Sequence, residues 1–141
     1  MRTGLFITLA ALAGLALLAQ EKQESRNVWT GVYTSDQAKR GLEAYKDKCE
    51  MCHGETMSGG GGVPAVAGPE FLFGWNGKTA AELFDYVKSM MPPADPGGLS
   101  DQKYADIIAA MFQTDGFPSG KVELSSDSKA LAPIVITREK P

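Results

Sequence analysis

Both cysteines of the chain and its only histidine fall within five consecutive positions, Cys49-Glu50-Met51-Cys52-His53. The spacing C-x-x-C-H is the attachment signature of c-type haem. Its chemistry assigns each residue a role. Two thiols one helical turn apart add across the haem vinyl groups as thioethers, and the adjacent imidazole then lies under the ring, placed to ligate iron. Three rival chemistries fit less well. A thioredoxin-like redox pair belongs at a strand-to-helix junction in a βαβ setting, and no β-rich pattern surrounds Cys49. A structural zinc site needs four ligands, and the chain offers Cys49, Cys52 and His53 plus carboxylates. A plain disulfide leaves His53 without a purpose.

With His53 on one side of the iron, no second histidine exists for the other. Methionine is the remaining usual partner, and His/Met ligation raises the reduction potential. Met1 belongs to the N-terminal segment discussed below. Met51 lies on the attachment turn itself, and Met57 follows His53 by only four residues. Met111 falls on an apolar helical stripe, where packing accounts for it. Met90 and Met91 are left. Pro92 pushes Met91 into an extended conformation from which its sulfur could reach iron, whereas Met90 can finish a helix face with Leu83 and Val87.

Few regular elements are available to position these groups. Tyr33-Thr34-Ser35-Asp36 offers capping oxygens and an early acid. From Asp36 to about Cys49, the residues Ala38, Leu42, Tyr45 and Cys49 recur at helical spacing as one buried stripe. Gly41 on that helix costs about 1 kcal/mol relative to Ala, which points to a close approach by another backbone. After His53 come about 25 residues with little regular pattern, including Gly59-Gly60-Gly61-Gly62, a length that is normally tied down by a ligand or a function. Thr79 caps a second helix carrying Leu83, Phe84 and Val87, which Pro92-Pro93 stops near Met90. Ser100-Asp101 opens a third, with Tyr104, Ile107, Ile108, Met111 and Phe112 on its stripe, ended by Gly116 and Pro118. The tail 119–141 holds Val122, Leu124, Leu131, Ile134 and Ile136, and is expected to pack across the domain partly as a strand.

Composition bounds the rest. The chain has 141 residues, the size of one domain. A hydrophobic fraction of 43% with 22% charged residues excludes wholesale disorder. Fourteen basic against seventeen acidic residues, a formal charge of -3, argue against a nucleic-acid partner. Arg2 followed by the uncharged apolar run Leu5 to Leu18 has the proportions of a secretory signal peptide, with cleavage expected after Ala19 or Ala16. The run is shorter than the roughly 20 residues a membrane span needs. The expected organisation is a signal peptide at 1–19, a flexible leader at 20–32, a domain at 33–118 and a packed extension at 119–141. Export to the periplasm would agree with haem attachment, because c-type cytochromes are assembled outside the bacterial cytoplasm. No membrane span is expected after cleavage.

Further motifs extend the pattern on both sides of the C-x-x-C-H turn. They are Tyr33-Thr34-x-x-Gln37-Ala38-x-Arg40-Gly41, Cys49-x-x-Cys52-His53-Gly54, Pro64-x-Val66-x-Gly68-Pro69-x-Phe71 and Trp75-x-Gly77-Lys78-Thr79. Leu83-Phe84-Asp85, Met91-Pro92, Pro96-Gly97-x-Leu99-Ser100 and Gly116-Phe117-Pro118-x-Gly120 continue it. On these residues, over roughly Val32 to Ile136, the chain resembles class I cytochromes c. It is most similar to the cytochrome domains and subunits that accompany quinoprotein (PQQ-type) alcohol dehydrogenases.

The resemblance implies an all-α class I cytochrome c fold, three to four helices with long loops around one covalent haem c. It implies thioethers at Cys49 and Cys52, iron ligation by His53 and Met91, and a Pro64 carbonyl accepting the second ring N–H of His53. Trp75 resembles the aromatic residue near a haem propionate. Gly41 and Tyr45 match the first-helix contact with the last helix. Ala110 departs from the aromatic often found there, which implies a crossing repacked by Tyr104 or Phe112. The function implied is single-electron transfer, not catalysis, between a donor dehydrogenase, of quinoprotein type on this resemblance, and an acceptor oxidase or reductase. The alternative is a ligand-binding or sensory haem protein with a labile sixth site.

Overall fold

The computed structural model describes residues 26–141; the signal peptide expected at 1–19 lies outside them. The chain runs through a two-residue strand β1 (Arg26–Asn27), a 3-10 turn (Val28–Thr30), helices α1 (Ser35–Lys48), α2 (Glu50–His53), α3 (Pro69–Trp75), α4 (Ala80–Met90), α5 (Asp101–Thr114) and α6 (Ser128–Leu131), and strand β2 (Ile134–Val135). The architecture is all-α apart from one two-stranded pairing, as expected from the sequence. Three of the helices start at side chains that satisfy the free N–H groups of a first turn: Thr34, Thr79 and Ser100 each accept from the backbone three residues on. At Thr79 the cap is reciprocal, since Glu82 returns a bond to the Thr79 N–H.

The frame is the crossing of α1 over α5. Gly41 lies so close to α5 that a Cβ there would fall on the Asp106 carbonyl. Gln37, Ala38, Gly41 and Tyr45 form the buried face of α1. Leu42, expected on that face, is instead 37% exposed. It stands about 100° around the helix from Gly41, and Gly41, lacking a side chain, is what touches α5. The opposing face is long and almost wholly apolar, with Tyr104 to Phe112 all buried. Tyr104 and Phe112 are both in that core, and Ala110 is buried at 2% exposure, so small residues let the two helices close up. Arg40 flanks the crossing, forking onto the Asp106 carboxylate at 3.0 Å through both Nε and Nη2.

Two segments differ from the sequence expectation. The stretch after His53 contains helix α3, seven residues long. Pro69 at its first turn, followed by Glu70, is a helix-start signal that the glycines before it obscure. The second difference is the leader. Residues 26–32 are ordered against the body: Val28 and Val32 are buried, and β1 pairs in parallel with β2, Arg26 opposite Ile134 and Asn27 opposite Val135.

The tail passes over α1, where the Gln37 amide donates to the Leu124 carbonyl at 2.9 Å and accepts the Leu124 N–H at 2.7 Å. It ends beside the loop between α3 and α4, where Val135 bridges to Thr79. Leu124, Leu131, Ile134 and Ile136 are buried, while Val122 faces out. Among the described residues no helix is long and apolar enough to cross a membrane.

Gly41→Ala tests the crossing. Ala would improve helix propensity by about 1 kcal/mol, but the clash with the Asp106 backbone can be relieved only by separating α1 from α5. Overpacking of this kind costs about 3 kcal/mol. A net loss of about 2 kcal/mol in denaturant unfolding is expected.

Candidate cofactor site

Helix α1 ends at Lys48, and Cys49 is at once its C-cap and the start of the next turn: the Cys49 N–H donates to the Tyr45 carbonyl at 2.8 Å. The His53 N–H donates in turn to the Cys49 carbonyl at 2.9 Å. Cys49, Cys52 and His53 therefore sit on one rigid turn that continues the scaffold helix. Tyr45 closes it further on, its phenol donating to the Gly54 carbonyl at 2.6 Å.

The His53 Nδ1 lies 2.9 Å from the Pro64 carbonyl oxygen. A carbonyl can only accept, so Nδ1 carries the proton and the Nε2 lone pair is free for a metal. This contact fixes both tautomer and ring orientation, the usual task of a partner behind a metal-binding imidazole. The loop that carries Pro64 folds back through three backbone bonds of its own: the Gly59 N–H to the His53 carbonyl, and the Val66 and Ala67 N–H groups to the Met57 carbonyl. Gly59 has φ of 66° and packs against Val63 and Pro64, so a side chain there meets both strain and backbone.

Cys49, Cys52, His53, Pro64, Trp75 and Met91 all line a single cavity of about 550 Å³, within the roughly 300–1,000 Å³ typical of cofactor sites. Its apolar walls include Val66, Phe71, Leu83, Val87, Ile107 and Met111. Met91 is extended, with φ -126° and ψ 147°, as its position before Pro92 dictates. Met90, the other candidate, is 50% exposed and does not line the cavity. Met57 is buried in the core. Trp75 stands on α3 between Phe71 and Tyr86, with ring centroids 6.1 and 5.6 Å away.

Two supports escaped the sequence reading. Tyr104, read only as part of an apolar stripe, donates its phenol to the Met91 carbonyl at 2.7 Å. A buried tyrosine needs such a partner, but nothing local in the sequence says which. Asp115, at the end of α5, accepts the Gly68 N–H at 2.6 Å and thereby anchors the glycine loop where it enters α3. Its other oxygen is buried without a partner.

The donor set fits haem. One imidazole with a free Nε2, two thiols on the same turn and an apolar slot of cofactor size meet the needs of a covalently held ring. Burial pushes the Cys49 thiol up to about 11, the opposite of the lowered value that a redox-active dithiol needs. No disulfide joins Cys49 to Cys52.

Helices packed around this one cavity, with the C-x-x-C-H turn on its wall, define a class I c-type cytochrome. Residues 36–109 match the family described as cytochrome c oxidase, cbb3-type, subunit III, and the chain belongs to that family. No curated protein and no solved structure matches the chain. The cofactor is haem c, held covalently through Cys49 and Cys52, and electron transfer by a haem cytochrome is the function such a domain carries.

Asp115 gives the site a pH dependence. Desolvation raises its carboxyl from an ordinary 3.8 to about 6, against the lowering effect of the Gly68 N–H. Between these values the folded chain binds more protons than the unfolded one, so this group's contribution is full below about 4 and is lost as pH rises through 6. Asp115→Asn keeps an acceptor for Gly68 and removes the charge. Relative to the parent, the variant should gain stability as pH goes from 4 to 7, measured by denaturant midpoints across that range.

Proposed function

We propose that this chain is an exported, periplasmic monohaem electron carrier, not an enzyme. It would take single electrons from a dehydrogenase-type donor, of quinoprotein kind on the sequence resemblance, and pass them to a respiratory acceptor. The family description names an oxidase subunit, which supports an acceptor of that class. The single observation that carries the reading is the meeting of Cys49, Cys52, His53 and Met91 on the wall of one cavity.

When bound, haem c supplies a one-electron couple between ferric and ferrous iron. The chain's own residues hold and tune it. Cys49 and Cys52 anchor the ring to the end of α1, so binding does not depend on affinity alone. His53, its tautomer fixed by Pro64, would offer Nε2 to the iron. Met91 would offer its thioether as a second ligand, on a backbone held extended by Pro92 and pinned by the Tyr104 phenol. Because Tyr104 stands on α5 and His53 continues α1, both ligands are referred to one helix crossing, which resists rearrangement when the iron changes charge. Such rigidity suits a carrier, since little is reorganised on each transfer. Met111 also reaches the cavity wall, but from within α5 and at 3% exposure, as a core side chain does.

Two measurements test the reading. Mature protein should show one covalent haem by intact mass and a pyridine haemochrome spectrum of c type; a mass without haem overturns it. The sulfur-to-iron charge-transfer band of the oxidised protein should vanish in Met91→Ala and persist in Met90→Ala and Met111→Ala. Persistence in Met91→Ala would refute the ligand assignment, and rapid carbon monoxide binding by the ferrous parent would favour a sensor with a labile sixth site.

A further inference from the structure

The cavity wall is apolar apart from its ligands, its phenols and two ionised side chains. Those two are Lys48 and Lys78, both cations, and no carboxylate lines the cavity among the described residues. Haem carries two propionates, so the ring the cavity takes is an anion at its periphery. Vinyl and propionate groups occupy opposite edges of the porphyrin. Attachment at Cys49 and Cys52 would set the vinyl edge beside Lys48, the residue next to Cys49, and the propionates away from it. Lys78 is the cation that remains.

Lys78 is held in place. Its Nζ lies 4.7 Å from the Trp75 ring centroid, over the ring, where the ring quadrupole attracts a cation. Its N–H donates to the Trp75 carbonyl at 3.0 Å, and its own carbonyl accepts the Ile136 N–H at 2.8 Å. On one side the Gly77 N–H donates to the Ile136 carbonyl, and on the other Thr79 bridges to Val135. The strap is itself fastened, the Trp29 indole N–H donating to the Thr137 carbonyl at 3.1 Å and the Arg138 N–H to Asn76 Oδ1 at 2.9 Å. The tail is thus paired along three consecutive backbone positions with the short loop that carries this one cation to the cavity.

The geometry points to Lys78 as the propionate-binding cation of this protein, with the C-terminal strap 134–138 as the device that positions it. The inference rests on the haem-carrier reading. A fixed positive charge at a propionate keeps that carboxylate ionised and favours the ferrous state, which holds one more electron. Lys78 would therefore raise the reduction potential and keep it flat with pH, because a paired propionate titrates below the working range.

Redox titration of the holoprotein from pH 5 to 8, in parent, Lys78→Gln, Lys78→Arg and Lys48→Gln, tests this. In Lys78→Gln the ferrous-to-ferric ratio at a fixed ambient potential should fall about fivefold at pH 7, the scale of one partly screened unit charge. Its potential should also begin to depend on pH, which a merely structural residue would not cause. Lys78→Arg should restore both properties, and Lys48→Gln should leave the pH profile flat. The inference is overturned if Lys78→Gln matches the parent in potential and pH profile, or if Lys48→Gln gives the larger change. Intact mass separates the two levels. Haem present with an unmoved potential defeats the Lys78 assignment alone, whereas a parent without covalent haem defeats the carrier reading beneath it.

Discussion

The two ends of the cavity's ligand set are both referred to the near-contact of α1 and α5 at Gly41. The C-terminal end of α1 becomes the Cys49–His53 turn without an intervening loop, so the attachment site moves only if α1 moves. The first turn of α5 presents Tyr104, whose phenol holds the backbone of Met91. The two ends of the cavity's ligand set are thus mounted on two helices whose separation is fixed by the absence of one side chain. A single methyl group at position 41 would act on the spacing between His53 and Met91, although Gly41 lies on no cavity wall.

A second constraint comes from the tail. Helices α1 and α5 define one side of the cavity, but α3, which carries Trp75, is short and its loop neighbours are rich in glycine. Seven residues cannot hold a position by propensity. The order of this wall is imported from elsewhere: Asp115 fastens its entry at Gly68, and Ile136 fastens its exit at Gly77 and Lys78. Gln37 closes the circuit by gripping Leu124 from α1. The extension after Pro118 is therefore part of the site's support.

The chemistry was legible in the sequence because it is local. The C-x-x-C-H turn, the caps at Thr34, Thr79 and Ser100, and the extended Met91 before Pro92 all depend on neighbours a few positions apart. What escaped depends on distant partners. Helix α3 is announced only by Pro69, and its neighbouring glycines argue the other way. Leu42 has the right period for the buried face, yet Gly41 occupies the contact. Arg26 and Asn27 look like a loose leader until Ile134 and Val135 offer them a strand to pair with. The phenol of Tyr104, the amide of Gln37 and the carboxyl of Asp115 each bond a residue more than ten positions away that no periodicity encodes.

Covalent attachment also answers a problem of size. Until it is filled, an apolar slot of about 550 Å³ leaves its lining side chains without packing partners. Water entering the space relieves part of that loss but wets Phe71, Leu83, Val87 and Ile107, which then contribute little to the core. A ring tied by two thioethers cannot be lost to dilution, so the filled cavity counts as core at any concentration. The same ring that supplies the redox couple therefore supplies much of the packing between α3, α4 and the α1–α5 frame. In this protein the functional site and the centre of the fold are one volume, and a substitution that loosens either loosens both.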